Sequence, residues 1–175
     1  MTEVRRYQRQ VHDLAFLDSL TNLSNRRALF RYGRERLQQA RERGESSALL
    51  YVDLDRFKAV NDALGHEIGD TLLIKVAERL RAQVKLEDLV SRNGGDEFTV
   101  LLEAISRTHA DEVARRLEAA LSQPYQLGAH EVVIGASIGV AMFPEDASSI
   151  EELLHQADLK MYLVKTRNKA ADVEF

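Results

Sequence analysis

The sequence predicts an α+β domain: a mostly antiparallel central sheet of about five strands flanked by helices, with a peripheral hairpin and an N-terminal helix. Three observations predict it. Helical stripes of apolar residues alternate with short strands in mixed order, and two strand pairs are joined by tight turns. Strand segments alternate strictly, with Ala48, Leu50, Val52 and Leu54 on one face and Leu49, Tyr51, Asp53 and Asp55 on the other. Asn93-Gly94-Gly95-Asp96-Glu97-Phe98 opens as a glycine turn and runs directly into a strand, the signature of a hairpin.

Composition allows a sizeable core and removes several classes of function. The chain has 175 residues, 45% of them hydrophobic, which suits one domain plus an appendage. A net charge of -4 argues against a nucleic-acid polymer as partner but leaves nucleotide binding open. With no Cys, neither a disulfide framework nor a thiolate zinc site is available. No stretch reaches the length of a membrane-spanning helix, and the polar run Met1 to Gln10 does not resemble a signal peptide. A cytoplasmic location is expected, either free or as the cytoplasmic part of a membrane-attached protein.

Residues 1–17 form a helical linker, and 18–175 form the main domain. Val4, Tyr7, Val11 and Leu14 follow three- and four-residue spacing, which suits either a helix packed on its own domain or a short dimerising stalk. Asp18 to Arg27 is a loop rich in Asn, Ser and Thr, with Ser24 or Asn25 capping a helix from about Arg26 to Arg43 that stops at Gly44. Ser47 to Asp55 is a strand. Phe57 to Gly65 is a short helix, and His66 to Val84 a longer one with Ile68, Leu72, Leu73, Val76, Ala77 and Leu80 on its stripe. Gly69 and Asp70 are placed in its first turn, where an acid complements the helix dipole.

The hairpin pairs Asp88 to Arg92 with Glu97 to Leu102. Thr108 or His109 to Leu121 is the next helix, ended by Pro124. Tyr125 to Leu127 and a long strand from Glu131 to Phe143 read as a second hairpin. The small residues Gly135, Ser137, Gly139 and Ala141 on one face of that strand leave room for an element lying close. Ser148 or Ser149 caps the last helix, and Asp172 to Phe175 is read as a final edge strand. The β-α-β-β-α-β core within this order is ferredoxin-like, a palm that sets the ends of its first and third strands side by side.

That juxtaposition brings Asp53 and Asp55 toward Asp96 and Glu97. Three or four carboxylates within a few ångströms must share a cation or take up protons. Mg²⁺ suits such a set because it takes a few carboxylates together with phosphate oxygens. Beside a glycine turn, this predicts a nucleoside triphosphate site running phosphoryl or nucleotidyl transfer. Lys58 is placed to neutralise phosphate, and Asn61 and Asp70 to pair with a base edge, with Asp matching guanine donors. His66 alone reads as a surface or cap histidine.

Several ordered motifs together resemble the GGDEF-domain diguanylate cyclases. Gly94-Gly95-Asp96-Glu97-Phe98 is similar to the family signature; Asp18 to Arg27, Asp53 to Asp62, Gly65 to Asp70 and Ala157 to Lys165 resemble its other blocks, from about residue 14 onward. The resemblance implies condensation of two GTP into cyclic di-GMP with release of two pyrophosphates, by two domains meeting face to face. It implies Mg²⁺ or Mn²⁺ held by Asp53, Asp96 and the Leu54 carbonyl, and a proton taken by Asp96 or Glu97. It further implies Lys58 stabilising phosphates, Asn61 and Asp70 reading guanine beside His66, Gly94 and Gly95 admitting GTP, and Lys165 gripping the terminal phosphates. A homodimer and an upstream sensor or receiver module are the partners it implies.

Two departures stand out. The family's Arg-x-x-Asp product-inhibition motif reads Lys85-Leu86-Glu87-Asp88, and lysine lacks the guanidinium fork. The last helix carries Lys169 where the family has a phosphate-contacting Arg, with Asn168 expected at a left-handed cap. A non-catalytic module binding GTP or cyclic di-GMP is the competing reading, and a mononucleotide cyclase a more distant one.

Overall fold

Nine consecutive residues, Ser47–Asp55, form β1, and both neighbours pair with it antiparallel. In the computed structural model, which describes residues 2–173, the remaining elements in chain order are α1 (Glu3–Phe16), α2 (Arg26–Arg43), α3 (Phe57–Leu64), α4 (His66–Gln83), β2 (Leu89–Gly94), β3 (Glu97–Leu102), α5 (Arg107–Leu121), β4 (Tyr125–Leu127), β5 (His130–Val132), β6 (Gly135–Phe143) and α6 (Ile150–Val173). The main sheet has the order β2-β3-β1-β6, and β4 and β5 form a separate two-stranded hairpin.

The strict alternation in β1 divides two cores. Leu50, Val52 and Leu54 pack with Phe98, Val100, Leu72, Val76, Leu80 and Leu117 beneath α4 and α5. Leu49 and Tyr51 pack with Leu101, Phe143, Leu29, Leu153 and Ala157 beneath α2 and α6. A sheet covered on both faces explains why eight of nine β1 residues are buried. The small face of β6 is used as expected. A Cβ on Gly139 would lie 2.1 Å from the Ala157 carbonyl and 2.3 Å from the Met161 nitrogen, so α6 crosses β6 at backbone contact.

Helix ends follow local chemistry. The Asn25 side chain accepts from the Ala28 N–H, and Gly44 closes α2 at φ 65°. Ser106 caps α5 and Ser149 accepts from the Glu152 N–H in α6. Asn22 takes φ 61°, a left-handed conformation that Asn tolerates better than most residues.

Several expectations are corrected. The alternation running from Glu131 to Phe143 is not one strand: Val132 pairs with Tyr125, while Gly135 pairs with Asp55, so the chain changes partner between them. The main sheet accordingly has four strands among the described residues. Asp172 and Val173 belong to α6 rather than to an edge strand, and the rest of that expected strand lies outside the described residues. Asn168 is inside α6 and is not a left-handed cap. Because α4 begins at His66, Glu67 is the acid of its first turn and Asp70 opens the second.

Of the two readings of α1, its contact with the domain is confined to one end. His12 and Phe16 meet Tyr32, with ring centroids of the two phenyl groups 5.9 Å apart. Val4, Tyr7, Val11 and Leu14 remain 65%, 70%, 49% and 84% exposed.

Candidate active site

The register of the sheet assembles the site. Asp53 stands opposite Glu97 in the β1–β3 ladder, and the Leu54 N–H donates to the Asp96 carbonyl at 3.3 Å. Between β1 and α3, Arg56 is held at φ 67°, a conformation that costs about 1 kcal/mol or more for a residue with a side chain. It turns the chain sharply after Asp55, so that Lys58 follows the strand end directly.

The four carboxylates are divided between different partners. Asp53 is 8% exposed; its Oδ2 sits 2.9 Å from the Lys165 Nζ, and its Oδ1 is buried with no hydrogen-bond partner. Burial, then the negative charge of Asp53, push the Asp96 carboxyl up to about 6, with Lys165 pulling the other way. Glu97 accepts a 2.7 Å hydrogen bond from the Tyr51 hydroxyl. Burial and then Glu97 in turn push the Tyr51 hydroxyl above its usual range. Asp55 is engaged elsewhere: its Oδ1 accepts from Ser137 at 2.8 Å and its Oδ2 from Asn168 at 3.1 Å. The expectation that all the acids gather round one ion is therefore narrowed to Asp53 and Asp96, with Glu97 alongside.

That pair fits a divalent cation. An orphaned, buried carboxylate oxygen beside a second carboxylate that resists ionisation is a site where positive charge is favoured. Two carboxylates and a carbonyl are what Mg²⁺ takes from protein when phosphates complete its shell.

A cavity of about 280 Å³ adjoins the pair, lined by Lys58, Asp96, Lys165, Asn168 and Lys169 with the Leu54–Lys58 turn. Three lysines converge there, in keeping with a triphosphate. On the α3–α4 side, Asn61 Oδ1 is buried without a partner and rests on Gly69, where a Cβ would lie only 1.8 Å away. Asp70 and His66 are exposed on α4 beside it. Gly69, read from sequence only as a first-turn residue within the Gly65 to Asp70 block, thus makes room for the Asn61 amide; its presence in an otherwise regular helical stripe is the signal.

Arg92 is a second omission. It donates to the Gly95 carbonyl at 3.0 and 2.8 Å and to Asp18 Oδ1 at 3.0 Å, clamping the exposed Gly94–Gly95 turn to the loop after α1. Burial raises the Asp18 carboxyl, but hydrogen bonds from Thr21 and the charge of Arg92 outweigh it and hold it below the usual range. Gly94 and Gly95 take φ 122° and 52°, which justifies glycine at both.

Lys85 and Asp88 lie at the other end of β2 from this turn. Asp88 is buried and both its oxygens accept backbone N–H groups, from Lys85 at 2.9 Å and Glu103 at 3.3 Å. The two residues line a cavity of about 480 Å³ together with His109 and Arg116. Asp88 is therefore a structural clamp whatever else it does.

With the geometry in hand, similarity to known proteins is informative. The sequence profile of the family "Diguanylate cyclase, GGDEF domain" matches residues 15–171. The chain is 46% identical over 168 residues to the bifunctional diguanylate cyclase/cyclic di-GMP phosphodiesterase MucR of Pseudomonas aeruginosa, covering 96% of this chain but only 24% of MucR. The GGDEF domain of TpbB (YfiN) from the same organism superposes with a TM-score of 0.84 at 42% identity, covering 86% of this chain and 89% of that one. The coiled coil and GGDEF domain of DgcB from Caulobacter crescentus, solved with c-di-GMP, gives a TM-score of 0.86 at 25% identity, covering 93% and 87%. The motif order, the sheet order and the carboxylate pair at the glycine turn thus have one common explanation: this chain belongs to the GGDEF diguanylate cyclase domain family.

Proposed function

We propose that the chain is an active diguanylate cyclase that condenses two GTP into cyclic di-GMP with release of two pyrophosphates. The observation that carries the reading is the Asp53–Asp96 pair, with its buried unpartnered oxygen, set beside the three-lysine cavity. In this reading Lys58, Lys165 and Lys169 grip the triphosphate, while Asn61 and Asp70 pair with the guanine edge near His66. Asp53, Asp96 and the Leu54 carbonyl hold Mg²⁺ or Mn²⁺, which supplies neutralisation of phosphate charge. The ribose 3′-oxygen of one GTP bonds to the α-phosphorus of the other as the bond to the β-phosphate bridging oxygen breaks. Pyrophosphate leaves, and the hydroxyl proton passes to Glu97 or Asp96. Tyr51 holds the Glu97 carboxylate in place through its hydrogen bond.

Each domain holds one GTP, so turnover requires two copies face to face. The exposed Val4, Tyr7, Val11 and Leu14 seam supports residues 1–17 as a stalk that pairs two copies. No helix among the described residues is long and apolar enough to cross a membrane. A cytoplasmic setting with a sensor or receiver module upstream belongs to the same reading, and the chain matches only 24% of the length of MucR. The competing reading, a non-catalytic GTP- or cyclic di-GMP-binding module, draws on Lys165 already pairing with Asp53 and on Lys in place of Arg at 169.

Incubation with GTP and Mg²⁺ followed by chromatography separates the two. Cyclic di-GMP should accumulate, with specific activity rising with protein concentration. Binding of GTP with no cyclic dinucleotide at any protein concentration would establish the module instead.

A further inference from the structure

The first half of α2 presents a basic surface that the cyclase reading leaves unused. Arg26, Phe30 and Arg34 recur every fourth residue along one stripe, and Arg27 and Arg31 along the next. With Phe16 they line a groove of about 730 Å³. The guanidinium groups of Arg26 and Arg34 lie over the Phe30 ring at 5.3 and 5.5 Å, and that of Arg31 over Phe16 at 5.1 Å. The rings hold the arginines extended rather than neutralising them. Arg34 pairs with Glu151, but Arg26, Arg27 and Arg31 have no carboxylate partner among the described residues. Arg26 and Arg27 also open α2, whose first turn holds no acid, so the helix dipole opposes both. In a chain of net charge -4, this concentration of cations, with Arg27 and Arg31 unpaired among the described residues, is open to an anion from outside.

The chain's own substrate is not that anion. The three-lysine cavity shares no lining residue with the groove, and the guanine side of the site lies on α3 and α4. Yet the groove borders the site. Arg26 also lines a cavity of about 320 Å³ with Tyr51, whose hydroxyl holds Glu97, and with Glu151 and Asp158, neither of them within ion-pair distance of it; Arg27 and Arg31 line no part of that cavity. α2 begins two residues after Ser24, which bridges Ser91 and accepts from the Arg92 N–H at 2.9 Å. The arginines therefore flank the glycine turn through α2, apart from the lysine-lined cavity.

In a two-fold dimer, a surface on one side of the axis meets the other side of the partner. Resting on the cyclase reading, we infer that the α2 arginines receive the nucleotide-loaded acidic face of a second copy of this chain, supplying positive charge to the partner's triphosphate in trans. The stalk of the second copy is a poorer occupant, because α1 carries Arg5, Arg6 and Arg9 and would be repelled. The contact is made twice, once by each copy, and it appears only when nucleotide supplies the negative charge.

The test uses R27E/R31E and the charge-keeping R27K/R31K. Binding of a fluorescent, non-reacting GTP analogue with Mg²⁺ is measured at nanomolar protein, and analogue-driven dimerisation by sedimentation velocity. R27E/R31E should bind the analogue within about twofold of wild type. Its analogue-driven dimerisation should weaken by about tenfold or more, and turnover at low protein should fall by a similar factor. R27K/R31K should recover dimerisation. Unchanged dimerisation and turnover in R27E/R31E would overturn the inference. So would loss of analogue binding in its dilute monomers, which would assign the arginines to their own substrate, or no analogue-driven dimerisation in the wild type. Failure of the wild type to make cyclic di-GMP would remove the cyclase reading, while the sedimentation result would still decide the groove.

Discussion

Replacing Gly69 by Ala should separate stability from substrate recognition. The added Cβ would lie 1.8 Å from Asn61 Oδ1 and 2.9 Å from its Cγ, so the amide must swing away by more than about 1 Å. The obstacle is the tip of a side chain, and moving it off its preferred rotamer costs about 0.5–1.5 kcal/mol. Against this, Ala in place of Gly inside a helix contributes about 1 kcal/mol. The two nearly cancel, so the urea midpoint should barely move. Recognition has no such compensation. On the proposed reading, in which Asn61 pairs with guanine, displacing the amide leaves guanine donors without an acceptor, which costs about 1–3 kcal/mol, or about fivefold to 150-fold in GTP affinity. Titration with a fluorescent GTP analogue reads the affinity and urea unfolding the stability. Asn61→Ala should show a similar loss, and the double variant should be no worse than Asn61→Ala alone, because both act through one side chain. Wild-type GTP affinity in a folded G69A protein would refute the placement of Asn61.

Asp53→Ala and Glu97→Ala should each abolish cyclic di-GMP formation while leaving a cooperative unfolding transition; wild-type rates in both would remove the metal-site argument. Asp96 gives a pH signature in chelated buffer. Its folded carboxyl titrates near 6 and an unfolded one near 3.8, so the folded state binds the proton first and gains stability as pH falls from above 6 toward 4. D96N should lack that component, seen as a wild-type-minus-variant difference in melting temperature that rises as pH falls. Gly139→Ala meets backbone rather than a movable side-chain tip, 2.1 Å from the Ala157 carbonyl, and should lose about 1–3 kcal/mol or more by urea unfolding.

The parts of this molecule that were readable in sequence are those fixed by local chemistry. The bounds of α2 followed from Asn25 and Gly44, and the two faces of β1 from alternation alone. Asp53 was recognisable because a carboxylate closing an apolar strand needs a reason, and Asp96 because it follows a pair of glycines at a turn. What escaped depends on partners distant in the chain. Arg92 reaches 74 residues back to Asp18, and Asn168 reaches 113 residues back to Asp55. Nothing in the local pattern of α6 distinguishes Asn168 from a helix terminator. Likewise, the alternation of residues 131–143 is continuous, and only pairing with two different strands reveals the break at Val133 and Ile134. The same limit applied to Asp55, which looked equivalent to Asp53 by spacing until Ser137 and Asn168 were seen to occupy it.

The crossing of α6 over Gly139 does more than pack a helix. Ala157 and Met161 are seated against a residue with no side chain, which leaves the helix one seat and one angle about its axis. Lys165 follows Met161 by four residues and Asn168 by seven, so the same seat delivers the ammonium group to Asp53 and the amide to Asp55. A slip of one residue would turn both away by about 100° and move them about 1.5 Å along the axis. The glycine therefore works as the index mark of the helix, aligning Lys165 and Asn168 with the end of β1 by a contact near the middle of α6.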